Sequence, residues 1–192
     1  KISSLINDCY SIALVQATEK DLGLNINVNP TIPSGLFGDE DRIRQIVINV
    51  LSNAIKYSLA GGSVTMRVKE LPSRKEGYAN YTFCVKDTGI GMDEEFLKTI
   101  FDPFTRMKSS TVSGIQGTGL GMAITKNIVD MMNGDIKIES ELNKGTEVIV
   151  SFDFKIQKRS AVPFKLPEIN GAKCLVVDDD TNNFPIILIL II

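Results

Sequence analysis

A chain of 192 residues, 43% hydrophobic and 23% charged, has the composition of one medium globular domain with its own core. Its net charge of −2 gives no field to attract a polyanion, which speaks against nucleic acid as the main partner. It has no histidine, so Ser-His-Asp and Cys-His catalysis, histidine-ligated zinc and an internal histidine acceptor are excluded.

Ile2, Leu5, Ile6, Cys9 and Ala13 recur at helical spacing, so the first segment reads as the C-terminal part of a longer amphipathic helix, ended by Gly23. "LNINV" (Leu24 to Val28) alternates as a strand. After a Pro/Gly stretch, Asp39 is placed to cap a helix, with Glu40 and Asp41 at its positive end. In this helix Gln45, Asn49, Asn53 and Lys56 fall within about 80° of one face. Ile43, Ile46, Val47, Val50, Leu51 and Ala54 make an apolar arc. The amide stripe must meet water or a ligand, because unpaired amides are costly to bury. Asparagine oxygens are hard donors suited to Mg²⁺, and Lys56 could meet phosphate as a point charge. Taken alone, the stripe fits a solvated face equally well.

"SVTMRVKE" (Ser63 to Glu70) and "YTFCVKD" (Tyr81 to Asp87) are alternating strands joined by the polar "LPSRKEGYAN". Asp87 continues the face of Tyr81, Phe83 and Val85, an unusual place for a carboxylate without a partner. A carboxylate accepts hydrogen bonds, so it suits the exocyclic amine of adenine and repels the carbonyl that guanine carries there. Capping of the turn by a strand-end aspartate is the other reading. Gly89 and Gly91 follow in "TGIGM", where backbone turns sharply and can approach a ligand, and a short helical piece starts at Asp93. Residues 101–121 are long, polar and aperiodic, the marks of a functional or mobile loop. Their "FDPFTR" offers Arg106, either a phosphate contact on a lid or an ordinary loop arginine. "GTGLG" opens a helix over Leu120 to Met132 and can cradle phosphate at the helix N-terminus, a weak signal by itself.

That helix stops at Asn133-Gly134, and "DIKIE" and "TEVIVSFDF" are the last strands before a Lys/Arg/Pro/Ser-rich linker. "KCLVVDDD" (Lys173 to Asp180) then reads as a buried-type strand entering three aspartates. Interleaved helices and hairpins give the fold class: a two-layer α/β sandwich with a mixed, mostly antiparallel sheet. Cys9, Cys84 and Cys174 lack metal spacing and fit core packing in a reducing compartment. No secretory signal is visible at the start, and the apolar run 184–192 is about half a membrane span, so any membrane attachment is expected outside this chain.

An Asn/Lys-striped helix, a strand-end DxGxG, F-x-P-F and a GxGxG opening a helix occur here in that order. This order resembles the N, G1, F and G2 boxes of the GHKL ATP-binding superfamily, and most closely the catalytic module of sensor histidine kinases. The resemblance implies ATP held under a flexible lid, with Asn49 and Asn53 on Mg²⁺ and Lys56 on the phosphates. It puts Tyr57 beside adenine and Asp87 on its amine, with Gly89, Gly91 and Met92 lining the pocket. Arg106, Gly117, Thr118, Gly119, Leu120 and Gly121 would close over the phosphates, and Lys56 and Arg106 would serve catalysis. In the superfamily's hydrolases, such as gyrase and the Hsp90-like chaperones, a glutamate stands four residues before the metal-binding asparagine and activates water. Asn49 holds that place here, a neutral amide that cannot act as a base.

The implied organisation is a dimerisation helix end (1–22), an ATP-binding catalytic domain (23–156), a linker (157–171) and the start of a receiver-like domain (172–192). The acceptor would be a histidine on an upstream dimerisation domain, in a parent homodimer. "KCLVVDDDTNN" resembles the first strand and acidic pair of a receiver domain, where Asp178 and Asp179 would help to bind Mg²⁺. That likeness ends at Asn183, because "FPIILILII" lacks the polar positions of the amphipathic helix that should follow. The chain is expected to be a cytoplasmic part of a hybrid kinase that is open to a membrane anchor elsewhere. The alternatives are a GHKL-type serine kinase, as in anti-sigma-factor kinases, and a nucleotide-sensing scaffold without catalysis.

Overall fold

The computed structural model describes residues 2–28, 36–106, 118–156, 174–177 and 188–191. The chain divides into two compact units, Lys1–Gln157 and Lys158–Ile192.

In the first unit, α1 (Ile2–Glu19) buries Leu5, Ile6, Cys9, Ala13 and Ala17, the helical face anticipated from spacing plus one further turn. The predicted stop at Gly23 is corrected. Asp21 takes the left-handed conformation (φ 55°), and the Leu22 amide closes onto the Ala17 carbonyl. This closing hydrogen bond satisfies the end of the helix two residues earlier, which frees Gly23 to start β1 (Gly23–Val28).

The short β2 (Leu36–Phe37) precedes α2 (Glu40–Tyr57), whose first turn is capped as expected, Asp39 accepting from the Arg42 amide at 3.1 Å. At the other end, Lys20 Nζ donates to the carbonyls of Ile55 (3.0 Å) and Lys56 (2.6 Å). A cation thus occupies the negative end of α2 and fixes the terminal turn that carries Lys56.

Strands β3 (Ser63–Pro72) and β4 (Tyr78–Asp87) are longer than predicted, with only 73–77 between them. The extension is held by pairing beyond the alternating core residues, Leu71 opposite Asn80 and Pro72 opposite Ala79. After α3 (Glu94–Leu97) and α4 (Gly121–Met131), the hairpin of β5 (Asp135–Glu141) and β6 (Gly145–Ile156) closes the sheet. The sheet order is β1-β3-β4-β6-β2, with β5 on β6; β1 runs parallel to β3, and the other pairs are antiparallel. This is the mixed α/β arrangement expected.

One face of the sheet packs under helices. Val64, Met66 and Val68 of β3, Tyr81, Phe83 and Val85 of β4, and Val150, Phe152 and Phe154 of β6 are buried in one cluster with the apolar arc of α2. Burying that arc leaves the opposite side of α2, with its amides and Lys56, directed away from the sheet's centre. Among the described residues no helix is long and apolar enough to cross a membrane. Cys9 and Cys84 are free thiols, and burial pushes each up to about 11.

In the second unit, β7 (Cys174–Val177) pairs antiparallel with β8 (Leu188–Ile191). The segment that should have been an amphipathic helix by the receiver likeness thus contains a strand, in keeping with its unbroken β-branched and leucine run. Asp178 and Asp179 lie outside the described residues.

Candidate functional site

A cavity of about 370 Å³ opens between α2, the C-terminal end of β4, the start of α4 and the β5–β6 hairpin. Asn49, Asn53, Lys56 and Tyr57 reach it from consecutive turns of α2, whereas Gln45, the first member of the sequence stripe, is not among its lining residues. The stripe is therefore split: three of its four members meet the cavity.

Asn49 Nδ2 donates to the buried Thr125 hydroxyl at 2.6 Å, which fixes the carboxamide and leaves Oδ1 as its acceptor. Gly121 lies against that oxygen so closely that a Cβ there would stand 2.5 Å from it. The Asn53 side chain makes no hydrogen bond to the described protein and is half-buried on the cavity wall. Lys56 Nζ sits 5.0 Å from the centre of the Tyr57 ring, a cation–π contact, and pairs with no carboxylate among the described residues. At this end the cavity offers two amide oxygens and one ammonium.

At the other end stands Asp87, 6% exposed and the only carboxylate among the lining residues described. Burial raises its pKa from the usual 3.8, opposed by the Gly89 and Thr146 amides, which both donate to Oδ1 (2.8 and 3.2 Å). No buried side-chain oxygen in the described structure lacks a partner, so Oδ2, with no protein donor, is open to the cavity. It is an acceptor held in place by its sister oxygen. Val85, Ile90, Met92, Phe96, Ile138 and Val148 surround this end with apolar surface. A flat, mostly apolar group bearing a hydrogen-bond donor fits this description.

The loop after β4 is held by close backbone approach. Gly91 has φ 62°, and a Cβ there would fall on the Glu141 carbonyl. A Cβ on Gly89 would likewise fall on the Tyr57 carbonyl, so Gly89 shapes the loop without lining the cavity. Thr118, Gly119 and Gly121 line the cavity at the start of α4, where free backbone N–H groups and the helix dipole favour an anion. Leu120 does not line it; this residue is the N-cap of α4. The Gly119 carbonyl accepts from the Phe104 amide at 3.0 Å, which brings residues 104 and 119 together beside the cavity. Arg106 is not among the described lining residues. Gly117 lies outside the described residues.

Sequence reasoning missed Ser52, Ile90, Phe96, Ile100, Thr105, Met122, Ile138, Thr146 and Val148, and read Val50, Ala54 and Val85 only as apolar face. Ile138 and Val148 are opposite each other in the β5–β6 ladder, and nothing local separates them from ordinary core residues. Thr146 sits in "GTEV", where only the preceding glycine signals a special backbone.

A family model described as histidine kinase-, DNA gyrase B-, and HSP90-like ATPase matches residues 38–156. Hybrid signal transduction histidine kinase B of Dictyostelium discoideum is 34% identical over 188 residues, 96% of this chain and 9% of that protein. Sensor histidine kinase RcsC of Escherichia coli (strain K12) is 38% identical over 147 residues, 76% of this chain and 15% of that one. The chain thus spans only a small part of the curated relatives it matches. Among solved structures, full-length ShkA in complex with AMPPNP superposes with a TM-score of 0.68 at 28% identity, covering 82% of this chain and 31% of that one. The catalytic domain of the histidine kinase ThkA shares the fold, with a TM-score of 0.64, 23% identity and coverage of 79% and 93%.

Proposed function

This chain belongs to the family of histidine kinase-, DNA gyrase B- and HSP90-like ATPases, and from that premise we propose that it is the ATP-binding catalytic domain of a hybrid sensor histidine kinase. It would pass the γ-phosphate of Mg·ATP to a histidine on a separate dimerisation domain. The observation that carries this reading is the distribution of charge in one cavity. The sole carboxylate among the described lining residues, Asp87, lies at the apolar end, and the α2 end has two carboxamides and Lys56.

Adenine would lie between the apolar walls with its amine on Asp87 Oδ2. The triphosphate would extend toward Lys56, Thr118, Gly119 and the first turn of α4. Asn49 and Asn53 have the hard oxygen donors that a phosphate-bound Mg²⁺ accepts, and the anchored Asn49 carboxamide already aims one. Bound there, the ion would neutralise phosphate charge during transfer. Asn49 cannot take a proton from water, and no other base lines that end among the described residues. Transfer needs mainly positioning and charge neutralisation, so an incoming imidazole can supply the nucleophile that this site does not prepare.

The finer assignments belong to the same proposal. The parent protein would carry the acceptor histidine upstream of α1, act as a homodimer in the cytoplasm, with or without a membrane anchor, and relay phosphate to a receiver domain. Asp178 and Asp179 would belong to that receiver's Mg²⁺ site.

Incubation with γ-labelled ATP tests the proposal. The chain alone should remain unlabelled, and an added histidine-bearing dimerisation fragment should acquire an acid-labile phosphate. Self-labelling or an acid-stable product would overturn it, the latter in favour of serine transfer; no product despite ATP binding would leave a nucleotide-sensing scaffold.

Gly121→Ala gives a second check. Gly121 is the first residue of α4, where alanine adds little helix propensity, and its Cβ would displace the Asn49 carboxamide. The variant is expected to melt below wild type, because the displaced carboxamide gives up its bond to the buried Thr125 hydroxyl, and to bind Mg·ATP about tenfold more weakly. Calorimetry and thermal unfolding read the two effects separately.

A further inference from the structure

We propose that Ser140 is a positioning residue that fixes the Thr146 hydroxyl as a hydrogen-bond acceptor beside Asp87, so that the site favours an amino purine over its keto counterpart. The inference rests on the reading of Asp87 as the acceptor of a purine amine.

Ser140 does not line the cavity, yet its hydroxyl has three neighbours: the Met92 amide at 2.9 Å, the Gly145 carbonyl at 3.0 Å and Thr146 Oγ1 at 2.9 Å. The Met92 amide can only donate, so it occupies one lone pair of Ser140 Oγ. The Gly145 carbonyl can only accept, so it takes the single Ser140 proton. Thr146 must then donate to the remaining lone pair for the third bond to exist. In the other arrangement Ser140 donates to Thr146 and loses the bond to Gly145. Three bonds against two decide the direction of the Thr146 proton.

Thr146 lines the cavity, and its amide already holds Asp87 Oδ1. With its proton turned to Ser140, its hydroxyl offers only lone pairs to a ligand. Asp87, held through the Thr146 amide, likewise offers only lone pairs at Oδ2. Acceptors on two neighbouring residues of one cavity suit the protons of an exocyclic amine and leave a carbonyl without a donor. The arrangement has little freedom to adjust. Gly145 (φ 100°) lies so close to Asp87 that a Cβ would fall on its carbonyl, and the Asn143 amide donates to Ile90 at 2.7 Å. Facing a carbonyl, the site's own acceptors are left unpaired, and unpaired site groups supply the larger part of discrimination at buried polar sites.

The test is calorimetric binding of ATP and inosine triphosphate to the full chain. Ser140→Ala frees the Thr146 hydroxyl to rotate and donate, so the ATP-to-inosine triphosphate preference should fall about tenfold. Thr146→Val should lower the same ratio, and the double variant should lower it no further than Thr146→Val alone. Ser140→Thr, which keeps the hydroxyl, should retain the wild-type ratio. Equal weakening of both nucleotides by Ser140→Ala, an unchanged ratio, or additive effects in the double variant would overturn the proposal. Should Ser140→Ala fail to fold, Ser140→Thr and Thr146→Val decide between the same outcomes. Wild-type protein that binds neither nucleotide would instead overturn the ATP reading itself.

Discussion

Replacement of Asp87 by asparagine is expected to weaken ATP binding about 100- to 1,000-fold while leaving the fold at least as stable at neutral pH. An asparagine Oδ1 can accept from the Gly89 and Thr146 amides just as the present Oδ1 does. Its Nδ2 then replaces Oδ2 at the cavity, and an acceptor becomes a donor facing the adenine amine. The variant loses a charge-assisted hydrogen bond and gains two opposed donors. Stability moves the other way. Burial raises the Asp87 pKa, so the folded chain holds the Asp87 proton more tightly than the unfolded chain. The stability contributed by that proton is fully present below the ordinary carboxylate pKa and is lost as pH rises through the raised folded value. Asparagine carries no such loss. The melting temperature of Asp87→Asn relative to wild type should therefore be higher at pH 7 than at pH 4. Calorimetric titration with a non-hydrolysable ATP analogue, paired with melts at the two pH values, checks both signs. Unchanged affinity would remove Asp87 from the binding site.

The part of this site that was legible in the sequence is the part written in local periodicity. The amide stripe of α2 and the continuation of the β4 face by Asp87 follow from fixed repeats, and both meet the cavity. Gly89 and Gly91 were legible as sharp backbone, although their close neighbours, the carbonyls of Tyr57 and Glu141, come from distant elements. What periodicity cannot supply is register between strands. Ile138, Val148 and Thr146 enter the cavity only because β5 pairs with β6 and β6 with β4. Ser140 touches Met92 across a separation of 48 residues, a pairing set by how the hairpin docks on the loop after β4. Helix ends were misplaced for a related reason. Asp21, a residue with an unremarkable local signal, adopts the left-handed turn that glycine was expected to provide. The fold class was readable throughout, since alternation and helical spacing determine which faces are apolar.

Asn53→Ala is expected to lower phosphoryl transfer to a histidine-bearing fragment by about 100- to 1,000-fold with little change in stability. The two asparagines of α2 differ in what the fold asks of them. Asn49 is tied to the buried Thr125 hydroxyl, so its removal would leave that hydroxyl unpaired at a cost of about 1–3 kcal/mol and confuse folding with function. The Asn53 side chain makes no hydrogen bond to the described protein and meets the cavity directly, so its carboxamide is available to a ligand. Removing it takes away one hard oxygen donor at the triphosphate end, where Lys56 is the remaining charge on α2. Affinity for ATP without Mg²⁺ should change little, while the gain in affinity on adding Mg²⁺ should shrink. Single-turnover transfer measured across a Mg²⁺ titration separates the two effects, because a purely steric role for Asn53 would weaken binding equally at every Mg²⁺ concentration. Transfer at the wild-type rate would show that this carboxamide is a solvated side chain and that the phosphate end of the cavity lies elsewhere.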